Sequence, residues 1–219
     1  MSLTLYAHPF SSYCQKVLVS LYENDIPFEY RVIGPEDPAA MQELKTRWPF
    51  ARFPLLVDDG HTVVESSIII EHLMLRHGGR VRWLPENPAE ALKVRFLDRF
   101  FDNDVMAAMQ KPVFEALKPG GGRKDDAMVE AHRSLNVAYA WLDKRLEGTR
   151  WAAGDTLTLA DCAAAPSLFY ADWVCQIGDA YPHLKAYRAR LLAWPAFARA
   201  VDEARPFRAY FPLGAPERD

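Results

Sequence analysis

Four residues near the start of the chain, Ser11-Ser12-Tyr13-Cys14, have the types and the setting for sulfur chemistry. They follow a short apolar strand pattern, Leu3-Thr4-Leu5-Tyr6, and open a segment in which Cys14, Val17, Leu18, Leu21 and Tyr22 recur at helical spacing. Two hydroxyls therefore stand at a helix N-terminus. Unpaired backbone N–H groups and the positive end of the helix dipole there favour an anion such as a thiolate. Ser11 and Cys14 have the spacing of a Cys-x-x-Cys redox pair with Ser in the nucleophile's place. Either that site is dead or the reactive sulfur arrives on a bound molecule. A serine at this point also has a plain structural use as a helix cap.

Bulk properties narrow the field. With 219 residues and 50% hydrophobic composition, the chain can bury a sizeable core as one or two domains. A net charge of -3 argues against nucleic-acid binding, which needs a basic surface. The six Trp are scattered and form no stacking platform. No apolar run approaches the ~18 residues of a membrane span, and no basic-then-apolar leader precedes the first strand. The expectation is a cytoplasmic protein that touches neither membrane nor nucleic acid. Cys14, Cys162 and Cys175 are odd in number and far apart, as free thiols of a reducing compartment would be. No metal is expected, because the six His lack ligand spacing; His72 and His77 are five apart rather than four.

These residues must be held by elements, and the chain divides into two parts. Residues 1–78 alternate strand and helix. The strand at Leu3–Tyr6 is followed by the helix after Ser11, a strand across Phe28–Val32 and a short helical segment at Pro38–Thr46. Leu55-Leu56-Val57 and Thr62-Val63-Val64 then read as a hairpin around Asp58-Asp59-Gly60-His61, and Ser66 to His77 as a helix carrying Ile69, Ile70, Leu73 and Met74 on one side. This order predicts an α/β layer domain. Gly78-Gly79, Pro85 and Pro88 punctuate a linker over 79–89. From Glu90 to the end, 90–219, the pattern is all helical. Met128, Ala131, Leu135, Ala138, Leu142 and Leu146 mark one long amphipathic helix. Gly120-Gly121-Gly122 reads as a connector rather than a phosphate loop. Thr158-Leu159-Ala160-Asp161 has capping-box form before an apolar helix that Pro166 is expected to kink. Phe96, Phe100, Phe101, Val105, Met106 and Met109 exceed what one core stripe needs; the reading for any one of them is core, with pocket lining by some of them as the alternative.

The chain resembles the soluble glutathione transferases over almost its whole length, in the positions of Ser11 before Lys16, of Phe53-Pro54 before Leu55-Leu56-Val57, of Glu65-Ser66, and of Thr158 to Asp161. The resemblance implies a thioredoxin-like α/β N-terminal domain and an all-α C-terminal domain, a homodimer, and glutathione as co-substrate. It implies that Ser11, with Ser12 second, donates to the glutathione sulfur. It further implies a cis Phe53-Pro54 bond that leaves the Phe53 backbone to pair with the extended tripeptide, Glu65 and Ser66 holding the γ-glutamyl end, and Arg52 beside the glycyl carboxylate. A small hydrophobic electrophile would lie between Phe10, Tyr13, Met106 and Met109. Two rival readings are a glutathione-dependent thiol–disulfide oxidoreductase or peroxidase using Cys14, and a binding protein of the same fold without turnover. The maleylacetoacetate-isomerase-like class is disfavoured, since Tyr13 stands where its Ser-Ser-Cys motif has Cys.

Overall fold

The computed structural model describes residues 2–121 and 124–219. Its first part is a mixed four-stranded sheet, β1 (Leu3–Ala7), β2 (Glu29–Val32), β3 (Leu55–Asp58) and β4 (His61–Val64), in the order β2-β1-β3-β4. β1 and β2 run parallel across α1 (Ser12–Glu23), whereas β3 is antiparallel to both β1 and β4. The β3–β4 hairpin turns on Asp59 and Gly60, whose φ values of 45 and 87° give the two left-handed residues a tight two-residue turn requires. Glycine supplies one of them without a Cβ penalty. The alternation of side chains along the strands divides the core. Leu5 and Leu56 face α1 and α3 (Ser66–Arg76), while Tyr6, Leu55 and Val57 face Ala40 and Leu44 of α2 (Pro38–Arg47).

The rest is helical, beginning with α4 (Pro88–Phe100), which Asn87 caps by accepting from the N–H groups of Ala89 and Glu90. A π-helical turn, Phe101–Met106, joins α4 to α5 (Ala107–Leu117) without a break, and α6 (Lys124–Leu146) packs back along α5. Such turns commonly sit at functional places. The long stripe on α6 is buried as its spacing predicts, with Met128 only partly covered. Gly122 of the predicted connector lies outside the described residues. α7 (Leu159–Val174) is buried at every one of its 16 positions and runs through Pro166 without ending there. α8 (Pro182–Leu192), α9 (Pro195–Ala204) and a 3-10 turn, Arg205–Tyr210, complete the chain. Among the described residues no helix is long and apolar enough to cross a membrane.

α7 is the post around which the two parts assemble, touching both α1 and α4. Its first turn is organised by Asp161, whose carboxylate accepts from the N–H groups of Ala152 and Thr158 and from the hydroxyls of Thr158 and Tyr187, at 2.6–3.0 Å. The Thr-to-Asp spacing read as a capping box is thus the start of a buried network.

Candidate functional site

The loop between β1 and α1 is fixed from both parts of the chain. Ser11 is the N-cap of α1, in extended conformation, and its carbonyl accepts from the Gln15 N–H at 2.9 Å. The Ser11 N–H donates to His8 O at 3.0 Å, and the Phe10 N–H donates to His8 Nδ1 at 3.1 Å. From α7, Tyr170 donates its hydroxyl to the Phe10 carbonyl at 2.9 Å and accepts from Gln15 Nε2 at 3.1 Å. Ser11 is half-buried and Ser12 is buried at the first position of α1, so Ser11 is the more open hydroxyl at the helix N-terminus. Cys14 is sealed. Burial pushes its thiol up to about 12, against the opposing pull of the Ser11 hydroxyl and of the His8 N–H, which donates to Sγ at 3.5 Å. A thiol so placed is neutral and inaccessible at ordinary pH, which removes Cys14 as a nucleophile.

The opposite rim is built where β3 begins and α3 starts. The Phe53–Pro54 peptide bond is cis. Glu65, just before α3, has a φ of 71°, a left-handed conformation that costs a side-chain-bearing residue about 1–3 kcal/mol and is commonly kept at binding sites. Ser66 follows at the N-terminus of α3, where its hydroxyl and free N–H groups face a pocket of 270 Å³. Tyr13, Arg52, Phe53, Glu65 and Ser66 line that pocket together, as do Arg99, Asp102 and Asn103 from the helical part.

Phe53 also walls a larger cavity of 770 Å³ in front of Ser11, and Ser11, Phe10 and Tyr210 are shared between this cavity and a smaller apolar recess of 190 Å³. The three spaces lie side by side as a broken trench, the Ser66 pocket adjoining the large cavity at Phe53 and the large cavity adjoining the recess at Phe10, Ser11 and Tyr210. Lys45 and Gln42 of α2 stand at the wall of the large cavity, so the cation on that side is Lys45, whereas Arg52 belongs to the Ser66 pocket. Phe10 and Met109 line the apolar recess with Val113 and Tyr210. Tyr13 turns away towards Ser66. Met106 is 1% exposed and is part of the core, as is Met109 at 4%, so of the two only Met109 reaches the recess and only at its edge.

Beneath Ser66 lies a charged cluster. Lys16 of α1, 1% exposed, is 2.6 Å from Asp98 and 2.8 Å from Asp102, and it donates to Ser67 Oγ at 2.9 Å. Arg99 donates to Asp98 and Asp102 at 2.7 Å each and to the Ser67 hydroxyl. Burial, reinforced by Asp98 and opposed by Lys16 and Arg99, raises the Asp102 carboxyl above its ordinary value. Burial with the nearby Asp102 pushes the Tyr13 phenol up to about 12. Arg99, Asp102, Lys45, Tyr170 and Tyr210 escaped the sequence reading because each comes from a distant segment brought in by packing. The only local signal was the run of Asp and Arg at 98, 99, 102 and 104 within an otherwise apolar helix pattern.

A four-stranded thioredoxin-like domain joined to an all-helical domain, with pockets lined from both parts beside the N-termini of α1 and α3, defines a two-domain protein of the thioredoxin-like class. Residues 5–81 match the glutathione S-transferase N-terminal domain and residues 105–195 the glutathione S-transferase C-terminal domain. The chain belongs to the glutathione S-transferase family. It is 28% identical to glutathione S-transferase 1 of Triticum aestivum, covering 96% of this chain and 97% of the relative. It is 27% identical to a probable maleylacetoacetate isomerase of Caenorhabditis elegans, covering 92% and 94%. A glutathione S-transferase of Methylobacillus flagellatus, solved with glutathione bound, superposes with a TM-score of 0.79 at 24% identity over 91% of this chain and 98% of that one.

Proposed function

We propose that the chain is a serine-type glutathione transferase that lowers the thiol pKa of bound glutathione at Ser11 and adds the thiolate to a small hydrophobic electrophile. The observation that carries this reading is the place of Ser11, at the N-cap of α1 on the wall common to the large cavity and the apolar recess, with Phe53 lining both that cavity and the Ser66 pocket. A tripeptide along the trench would set its ammonium by Glu65, its α-carboxylate at the α3 N-terminus with Ser66, and its glycyl carboxylate towards Lys45. Phe53 would pair with the cysteinyl backbone. The sulfur then meets the Ser11 hydroxyl and the positive end of α1, both of which favour the charged form. Ser11 acts as a donor, so no general base is needed. Phe10, Met109 and Tyr210 offer the electrophile an apolar wall. The division at 79–89, a homodimeric assembly and a cytoplasmic setting belong to the same proposal.

The test is a spectroscopic titration of the bound thiol in the parent and in Ser11→Ala, with conjugation of an activated aryl halide followed in parallel. A raised thiol pKa, slower conjugation at neutral pH and near-unchanged glutathione affinity are expected in the variant. An unaltered titration would move the role to Ser12 or to the helix dipole alone. Glutathione-dependent isomerisation of maleylacetoacetate without any conjugation by the parent would overturn the transferase reading.

A further inference from the structure

At the end of the sheet remote from Phe53–Pro54, two imidazoles and a carboxylate meet. His72 Nε2 is 2.7 Å and His77 Nε2 2.9 Å from the same oxygen, Asp58 Oδ2. Their ligand atoms all lie within 4.8 Å of one another. The five-residue spacing that argued against a shared ion applies to two positions inside one helix. His77 is instead the C-cap of α3, the last residue bonded back into the helix before the left-handed Gly78, and its ring reaches the same Asp58 oxygen as His72. We propose that Asp58, His72 and His77, converging from β3 and α3, form a binding site for a divalent transition ion of the Zn²⁺ class.

The donor set fits that class. Two neutral imidazoles and one carboxylate suit Zn²⁺, Ni²⁺ or Cu²⁺, whereas Mg²⁺ and Ca²⁺ take oxygen ligands. Ligands about 2.0–2.2 Å from a tetrahedral ion lie roughly 3.3 Å apart, within the span of the separations seen here, so small rotations of the two rings open the centre. The backbones are already fixed. Asp58 pairs with Leu3 on one side and His61 on the other. The following turn is tied down by Asp59, whose N–H donates to Ser2 O at 2.9 Å and whose carboxylate accepts from Ser2 N at 2.7 Å. The His77 N–H donates to Leu73 O at 2.8 Å.

Access and charge agree with this. Asp58 is 8% exposed at its side chain, while His72 and His77 are 23% and 13% exposed, so the carboxylate is set back and the rings face an entrance. One negative charge among neutral ligands favours a dication. His61, directly across the hairpin from Asp58 and hence on the same face of the sheet, leaves a third imidazole or a water for the fourth position. The ion would join β3 to α3 and so stabilise the N-terminal part by mass action.

The experiment uses the full untagged chain, treated with a chelator and then titrated with Zn²⁺ alone against a chromophoric competitor. One Zn²⁺ per chain and a concentration-dependent rise in Tm are expected. His72→Gln and His77→Gln should each weaken uptake at least about tenfold. X-ray absorption of the Zn²⁺-loaded parent, which needs no variant to fold, should show nitrogen and oxygen neighbours with imidazole scattering. No uptake by the parent, uptake unchanged in both variants, or sulfur around the ion would each overturn the proposal. None of these readouts depends on transferase activity.

Discussion

Lys16 Nζ stands 2.6 Å from Asp98 Oδ1, with the two side chains 1% and 3% exposed, and this contact joins the first helix of the α/β part to the first helix of the bundle. Because Ser67 bonds the same lysine and lies next to Ser66, the buried charge supports the floor of the pocket as well as the domain junction. Such pairs are weak evidence for net stability, yet removing one partner strands the other in a dry site. Lys16→Met leaves Asp98 and Asp102 facing each other with Arg99 alone to compensate. It should cost about 3–5 kcal/mol in urea unfolding. A loss under about 1 kcal/mol would mean that water or Arg99 already solvates the carboxylates.

Asp102 gives the cluster a pH signature. Its carboxyl is raised from 3.8 by burial first and Asp98 next, so the folded chain holds a proton where the unfolded chain has lost it. Folding then takes up a proton, and the contribution of Asp102 to stability falls as pH rises from its unfolded value to its raised one. In Asp102→Asn this fall should vanish. The difference in unfolding free energy between parent and variant, followed from acid to neutral pH, should change in the variant's favour across that window. A difference independent of pH would show that Lys16 and Arg99 cancel the burial.

Much of this fold was legible because the local signals were strong and agreed. Asp59-Gly60 could hardly be anything but a hairpin turn, and the α6 stripe repeats over 23 residues. Ser11 at a helix start and the pairing of Glu65 with Ser66 were readable as spacing. What could not be read was depth. Met106 and Met109 look alike in the sequence, and both are buried in the core at 1% and 4% exposure, yet only Met109 also borders the recess. Lys45 on α2 and Arg52 on the loop that follows it likewise border different spaces, the large cavity and the Ser66 pocket, which their sequence positions do not reveal. Neither the position of a π-helical widening nor the approach of two helices far apart in sequence has a local signature.

Asp161 should affect stability without touching chemistry. It is fully buried and accepts from four donors, two backbone and two hydroxyl. Asp161→Ala removes the cap of α7 and leaves buried donors unpaired, each at about 1–3 kcal/mol. A total loss of at least about 3 kcal/mol is expected by urea unfolding. Glutathione affinity, measured by calorimetry well below the unfolding midpoint, should hold. Parent-like stability with weakened glutathione binding would put Asp161 in the site instead.

The Ser-x-x-Cys register allows a change of chemistry at one atom. A thiol at position 11 would occupy the N-cap of α1, half-buried where Cys14 is sealed, and the helix N-terminus would lower its pKa. In Ser11→Cys the new thiolate should attack a mixed disulfide of glutathione, forming a disulfide between the introduced sulfur and glutathione and releasing the other thiol. A second glutathione thiolate then attacks that bond, leaving oxidised glutathione and the free enzyme thiolate. Conjugation should fall as this reductase activity appears, and mass spectrometry should find glutathione attached at position 11. Cys14, pushed up to about 12 by burial, takes no part, so Ser11→Cys with Cys14→Ser should behave alike. A variant that neither forms the adduct nor reduces a small mixed disulfide would show that residue 11 does not face the glutathione sulfur, and the assignment of Ser11 would fall with it.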